Sequence, residues 1–106
     1  MKTWLRACLL LIVSPASLVL AQQPGMRYQV VIEGMRFEPA QLTVKPGDVV
    51  EWINRDPFPH TATAAGKFDT GEIQPGKSKS LRIMGKGEIP YVCTLHPTMK
   101  AQLTVK

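Results

Sequence analysis

The sequence predicts an all-β protein, a sandwich or barrel built of short strands. Three observations predict it. Apolar residues alternate with polar ones in short runs, the period of a half-buried strand. Proline and glycine break the chain between those runs. No window carries a helical repeat with caps at its ends.

The elements follow in order. Tyr28, Val30 and Ile32 alternate with Gln29, Val31 and Glu33, and Gly34 ends the run. Gln41 to Lys45 alternates next and stops at Pro46-Gly47-Asp48, a turn signal. Val49 to Asn54 is rich in β-formers and reads as a largely buried strand. His60 to Ala64 is a weaker strand, and Lys67 to Ile73 is ambiguous. Gln74-Pro75-Gly76-Lys77 is a second turn. Ser78 to Met84 alternates with Leu81 and Ile83 inside, until Gly85-Lys86-Gly87 breaks it. Glu88 to Cys93 and Ala101 to Val105 complete the set.

Residues 1–21 stand apart. Lys2 and Arg6 make a basic start, Ala7 to Val13 is apolar, and Ala16 to Leu20 largely continues it after Ser14-Pro15. Val19-Leu20-Ala21 offers small or short residues for cleavage before Gln22. That is the pattern of a cleaved secretory signal peptide. A membrane anchor would need about 20 apolar residues, and Ser14-Pro15 interrupts this run. A lipid-anchoring cysteine would follow the apolar run, whereas Cys8 precedes most of it. The reading is export to the periplasm, no stable membrane insertion, and one domain over residues 22–106. No repeat, low-complexity tract or linker divides that domain. A sandwich this small has a thin core, and such domains gain from an added staple such as a metal.

The full chain carries 13 Lys and Arg against 8 Asp and Glu. Removing residues 1–21 leaves eleven cations and a charge of +3. There is no Lys/Arg run interleaved with aromatics, so nucleic acid is not an expected partner. A slightly cationic surface can steer an acidic protein partner. Of two cysteines, only Cys93 survives removal of the leader. One cysteine makes no internal disulfide, and an exported compartment is oxidising. Cys93 is therefore either buried and inert or bound to something.

The stretch CTLHPTM, residues 93–99, answers which. It sets Cys93, His96 and Met99 three apart, between two strands. The only other histidine, His60, closes the proline-rich loop that follows the buried strand. In a sandwich both loops can sit at one end, which brings His60 to the other three. Singly, each has a plainer reading: a surface or solvated histidine, a core methionine, a buried thiol. Together they use both histidines and the one mature thiol. A thiolate and two imidazoles in a plane, with a distant thioether on the axis, make a blue-copper electron-transfer site. Thiolate and thioether suit Cu(I) and imidazole suits Cu(II), so little moves when one electron passes. Pro97 stiffens a turn too tight to let Cys93 and His96 separate. Catalytic zinc takes three protein ligands and water. That would leave Met99 unused, and copper binds more tightly in general.

On these residues the sequence resembles the cupredoxins, the small blue copper proteins, and among them the amicyanin and plastocyanin-like group. The matching stretches are Gly34-Met35-Arg36-Phe37-Glu38-Pro39, Leu42 to Asp48, Val50 to Asn54, Pro59-His60 and Cys93 to Met99. The two-residue gaps in Cys-x-x-His-x-x-Met look most like amicyanin. The resemblance implies a Greek-key β-sandwich with one type 1 copper ion near one end. His60, Cys93 and His96 would be its strong ligands and Met99 the weak axial one. Family members often carry Asn after the first histidine; here Thr61 stands there and is expected to hydrogen-bond across to the ligand loop. The resemblance also implies an apolar docking patch around His96, by position Pro57, Phe58, Pro97 and Thr98 with Lys100 at the rim. Redox proteins would be the partners, an amine dehydrogenase-like donor and a c-type cytochrome acceptor. A monomer is expected.

Three function classes compete. A self-contained copper enzyme needs further histidine-rich sites, and both histidines are already used, so no enzymatic activity is expected. Copper delivery is the alternative to electron transfer. It favours clustered, exposed methionines, and Met26, Met35 and Met84 are scattered.

Overall fold

The structure, a computed structural model, describes residues 25–106. The expected leader, residues 1–21, lies outside the described residues. Among the described residues there are nine strands and no helix. They are β1 (Arg27–Glu33), β2 (Arg36–Glu38), β3 (Gln41–Val44), β4 (Val49–Asn54), β5 (Thr63–Ala64), β6 (Phe68–Asp69), β7 (Ser78–Arg82), β8 (Gly87–Val92) and β9 (Lys100–Val105). They form two sheets, ordered β2-β1-β4-β7 and β3-β9-β8-β5-β6.

The strands follow the alternation with small differences. Val30 and Ile32 of β1 are buried while Gln29 and Glu33 face solvent. Ile83 is buried and Leu81 packs against the core, as their alternation predicts. The strand expected over His60 to Ala64 shrinks to Thr63–Ala64, and His60 instead forms an isolated bridge with Ile73. The ambiguous Lys67 to Ile73 yields only Phe68–Asp69 as strand. Alternation over three residues is too short to signal β2, which is a hairpin with β1. Its two-residue turn, Gly34-Met35, has positive φ at both positions, 63° and 61°. That is the turn geometry whose twist matches paired strands.

The chain passes between the sheets repeatedly, and sequence neighbours are therefore separated within them. β1 and β4 pair in parallel, as do β3 and β9, while the other pairs are antiparallel. Apolar side chains from both inner faces meet in one core. Trp52 of one sheet stands edge-on to Tyr91 of the other, with centroids 5.7 Å apart, and donates its Nε1–H to the Tyr91 hydroxyl at 3.3 Å. Phe37 and Phe68 also pack on Tyr91, with centroids 4.9 Å and 5.6 Å away. This fixes the ends of the strands. β1 and β4 finish side by side, with Ile32 opposite Asn54. β8 ends at Val92 opposite Lys100, where β9 begins. The Gly34-Met35 turn, the loop 55–62 and the loop 93–99 are thereby gathered at one end.

Candidate metal centre

The loop 93–99 is two successive turns. His96 N–H donates to the Cys93 carbonyl at 3.2 Å, and Met99 N–H donates to the His96 carbonyl at 2.9 Å. Cys93 N–H closes the loop on the Met99 carbonyl at 3.1 Å. The three-residue spacing thus places one soft or imidazole donor at the end of each turn. Pro97 occupies the second position of the later turn, where its fixed φ is favoured.

The other loop is built by Asn54, fully buried at the end of β4. Its amide donates to the carbonyls of Phe58 at 2.7 Å and Ile73 at 2.8 Å, and its oxygen accepts Asp56 N–H at 2.9 Å. The loop is folded back on itself, which turns His60 inward. His60 is then pinned by its backbone, which exchanges both hydrogen bonds with Ile73.

These constraints bring three of the four expected donors together. His60 Nδ1 lies 3.6 Å and His96 Nδ1 3.8 Å from Cys93 Sγ. One donor atom from each of the three lies within 4.8 Å of the others. The imidazole rings are 5.0 Å apart at 61°. His60 and Cys93 are fully buried, and His96 is half-buried. Met99 is also buried, in the same core cluster as Cys93, and its backbone is bonded to both Cys93 and His96.

Asp56 is the residue that sequence reasoning missed. Its Oδ2 accepts the His60 Nε2–H at 2.8 Å. This leaves Nδ1 as the free donor, on the side facing Cys93. Asp56 also accepts Gly34 N–H at 2.7 Å and Met35 N–H at 2.9 Å. Burial pushes its carboxyl up, but the amides of Met35 and Gly34 and the His60 ring outweigh burial and hold it below its ordinary value. The available signal was a carboxylate four residues before a histidine in a short proline-bounded loop.

Thr61 reaches the ligand loop as expected. Its N–H donates to Cys93 Sγ at 3.3 Å. Its hydroxyl accepts Thr94 N–H at 2.9 Å and lies 3.1 Å from the Thr94 hydroxyl.

The donor set fits a soft-to-borderline transition metal. It combines sulfur with two imidazole nitrogens and contains no carboxylate, and among the described residues no buried side-chain nitrogen or oxygen lacks a partner. Cys93 is a free thiol in a site that offers it an N–H donor, which a thiolate accepts more strongly.

Comparison with known proteins agrees with this arrangement. The sequence matches the family described as Cupredoxin-like domain over residues 4–105. It is 35% identical to amicyanin of Paracoccus denitrificans over 81 residues, which covers 71% of this chain and 62% of that one. It is 31% identical to plastocyanin of Scenedesmus fuscus over 88 residues, covering 66% of this chain and 86% of that one. Among solved structures, a reduced Cu(I) form of an amicyanin variant at pH 4 superposes with a TM-score of 0.69 at 31% identity. That match covers 76% of this chain and 82% of the other. By its sequence, its two-sheet fold and these matches, the chain belongs to the cupredoxin-like family.

Proposed function

We propose that this protein is an exported single-electron carrier that holds one copper ion with His60, Cys93, His96 and Met99. The observation that carries the reading is the convergence of two imidazole nitrogens and one sulfur within 4.8 Å. Bound there, copper would supply a one-electron couple between Cu(II) and Cu(I).

The protein's own residues do the rest. Asp56 holds the His60 ring in the tautomer that offers Nδ1. The Thr61 amide steadies the Cys93 sulfur. The turns of the 93–99 loop keep Cys93, His96 and Met99 in register whatever the charge at their centre. A site held this firmly changes little between oxidation states. His96 alone of the three donors has a partly exposed side chain, which makes it the point of contact for electron exchange.

Phe58 is 52% exposed and Leu95 42% exposed, and Pro57, Pro97 and Thr98 are exposed beside them. This apolar rim around His96 supports brief docking with redox proteins. The family resemblance supports an amine dehydrogenase-like donor and a c-type cytochrome acceptor. A charge placed at Phe58 or Thr98 should slow exchange with the partner and leave the copper spectrum unchanged. The pattern of residues 1–21 supports cleavage and export to the periplasm, with residues 22–106 as the mature domain.

The test is repeated redox cycling of the copper-loaded protein in the presence of a Cu(I) chelator. A carrier returns to full Cu(II) absorbance over many cycles without metal loss. Loss of copper to the chelator on the first reduction would instead support the copper-delivery reading.

A further inference from the structure

Behind the Cys93 loop, three hydroxyls and a carboxylate form an unbroken chain. Thr94 Oγ1 lies 3.1 Å from Thr61 Oγ1, and Thr61 Oγ1 lies 3.0 Å from Thr63 Oγ1. Thr63 Oγ1 lies 3.0 Å from Asp69 Oδ1. Asp69 is held in turn by Gly71 N–H at 2.8 Å and by its place opposite Thr63 in the β5–β6 pair.

Proton counting gives this chain a direction. Each hydroxyl has one proton to donate, and an ionised carboxylate only accepts. The Thr63 hydroxyl is the donor toward both Thr61 Oγ1 and Asp69 Oδ1, so its one proton lies between two acceptors and Asp69 fixes the side chain that carries it. The Thr61 oxygen accepts from Thr63 and from Thr94 N–H. With both lone pairs filled, Thr61 gives its own proton to Thr94 Oγ1. Thr61 follows His60 and Thr94 follows Cys93, so the two bonds between them clasp one ligand segment to the other, and Thr63 fixes the direction of the Thr61 hydroxyl.

We propose that Thr63 and Asp69 are positioning residues for the Cys93 segment and act through Thr61. Among the described residues, neither is hydrogen-bonded to His60, Cys93, His96 or Met99. Asp69 is exposed, so the relay joins a surface carboxylate to the segment carrying the buried sulfur. Its effect on a bound metal rests on the ligand reading above, while the relay itself does not.

Three variants test it. Thr63→Val removes the link and keeps the branched shape, Thr63→Ser restores a hydroxyl, and Asp69→Ala removes the terminal acceptor. Amide hydrogen exchange is read by NMR in the metal-free protein, and the sulfur-to-copper band is read after addition of Cu(II). Thr63→Val and Asp69→Ala should speed exchange at the Thr94 amide about tenfold, the scale of one net hydrogen bond. Thr63→Ser should stay within about twofold of the parent on the same scale. The Thr70 amide, bonded to the Ala62 carbonyl, should be unchanged in the Thr63 variants and so reports intact folding. The band should shift in Thr63→Val and return in Thr63→Ser. Unchanged Thr94 exchange in Thr63→Val overturns the proposal. So does a Thr63→Ser protein that behaves like Thr63→Val, because packing and not the hydroxyl would then matter. If Asp69→Ala does not fold, the Thr63 pair decides alone. The expected exchange pattern with no copper band in any protein would uphold the relay and sink the ligand reading.

Discussion

The carboxylate of Asp56 accepts three hydrogen bonds at once, from the amides of Gly34 and Met35 and from the His60 ring. It therefore orients the His60 ring and ties the β1–β2 turn to the loop that carries that ring. Replacing it with alanine frees the His60 ring to rotate and to take the other tautomer. Asp56→Ala should weaken copper binding by roughly 10- to 100-fold, the usual cost of losing such a partner. Competition against a chelator of known affinity measures this, and an affinity within twofold of the parent would show that Asp56 does not act on the site. The cluster of His60, Cys93 and His96 was legible in the sequence because histidine and cysteine are scarce here and stand in a fixed pattern. Asp56 was not, because an aspartate in a loop is common. Its role appears only once Asn54 has folded the loop back and β1 has ended beside β4.

At the scale of elements, β4 and β8 carry the core across both sheets through Trp52 and Tyr91. Burial pushes the Tyr91 phenol up to about 12, and the Trp52 N–H bond offsets only part of that. The sign of the pH effect follows. Between the ordinary value of 10.0 and about 12, the unfolded chain releases a proton that the folded chain keeps. The contribution to stability is whole below pH 10 and is lost as pH rises through that window. The loss should approach about 2–3 kcal/mol near its upper end. Tyr91→Phe lacks the group, and all others titrate alike in both proteins. Urea unfolding of the metal-free pair at the two ends of the window checks it: the parent should lose stability relative to the variant. Parallel losses would contradict a buried neutral phenol. Strands as long as β1, β4 and β9 were legible from their alternation. β2 was not read as a strand, β5 was read three residues too long and β6 lay in an ambiguous run, because two or three residues carry too little periodicity. They are held by tertiary pairing, as when Thr63 faces both Asp69 and Val92.

At the scale of the whole molecule, two sheets enclose a core thin enough for a bound ion to matter to stability. The candidate centre joins loops from both sheets, so a ligand bound only in the folded state would cross-link them. Saturation at about a thousand times the dissociation constant adds about 4 kcal/mol. For a domain of this size that is at least about 15 °C in melting temperature. Thermal melts with and without copper measure it, and equal midpoints would mean the ion does not hold the loops together. The all-β class was legible from turns and alternation, and the Greek-key sandwich only through the family resemblance. The sheet order was not legible, since parallel pairs such as β1 with β4 join residues far apart in the chain. For the same reason the sequence allowed the two loops a shared end without fixing it. The most direct measurement is the visible spectrum of the mature protein on titration with Cu(II), beside Cys93→Ala. An intense sulfur-to-copper band that saturates at one ion per chain, bleaches with ascorbate and is missing from the variant is the predicted result. Copper binding with no such band, or a band that survives in Cys93→Ala, would contradict a centre built on His60, Cys93, His96 and Met99.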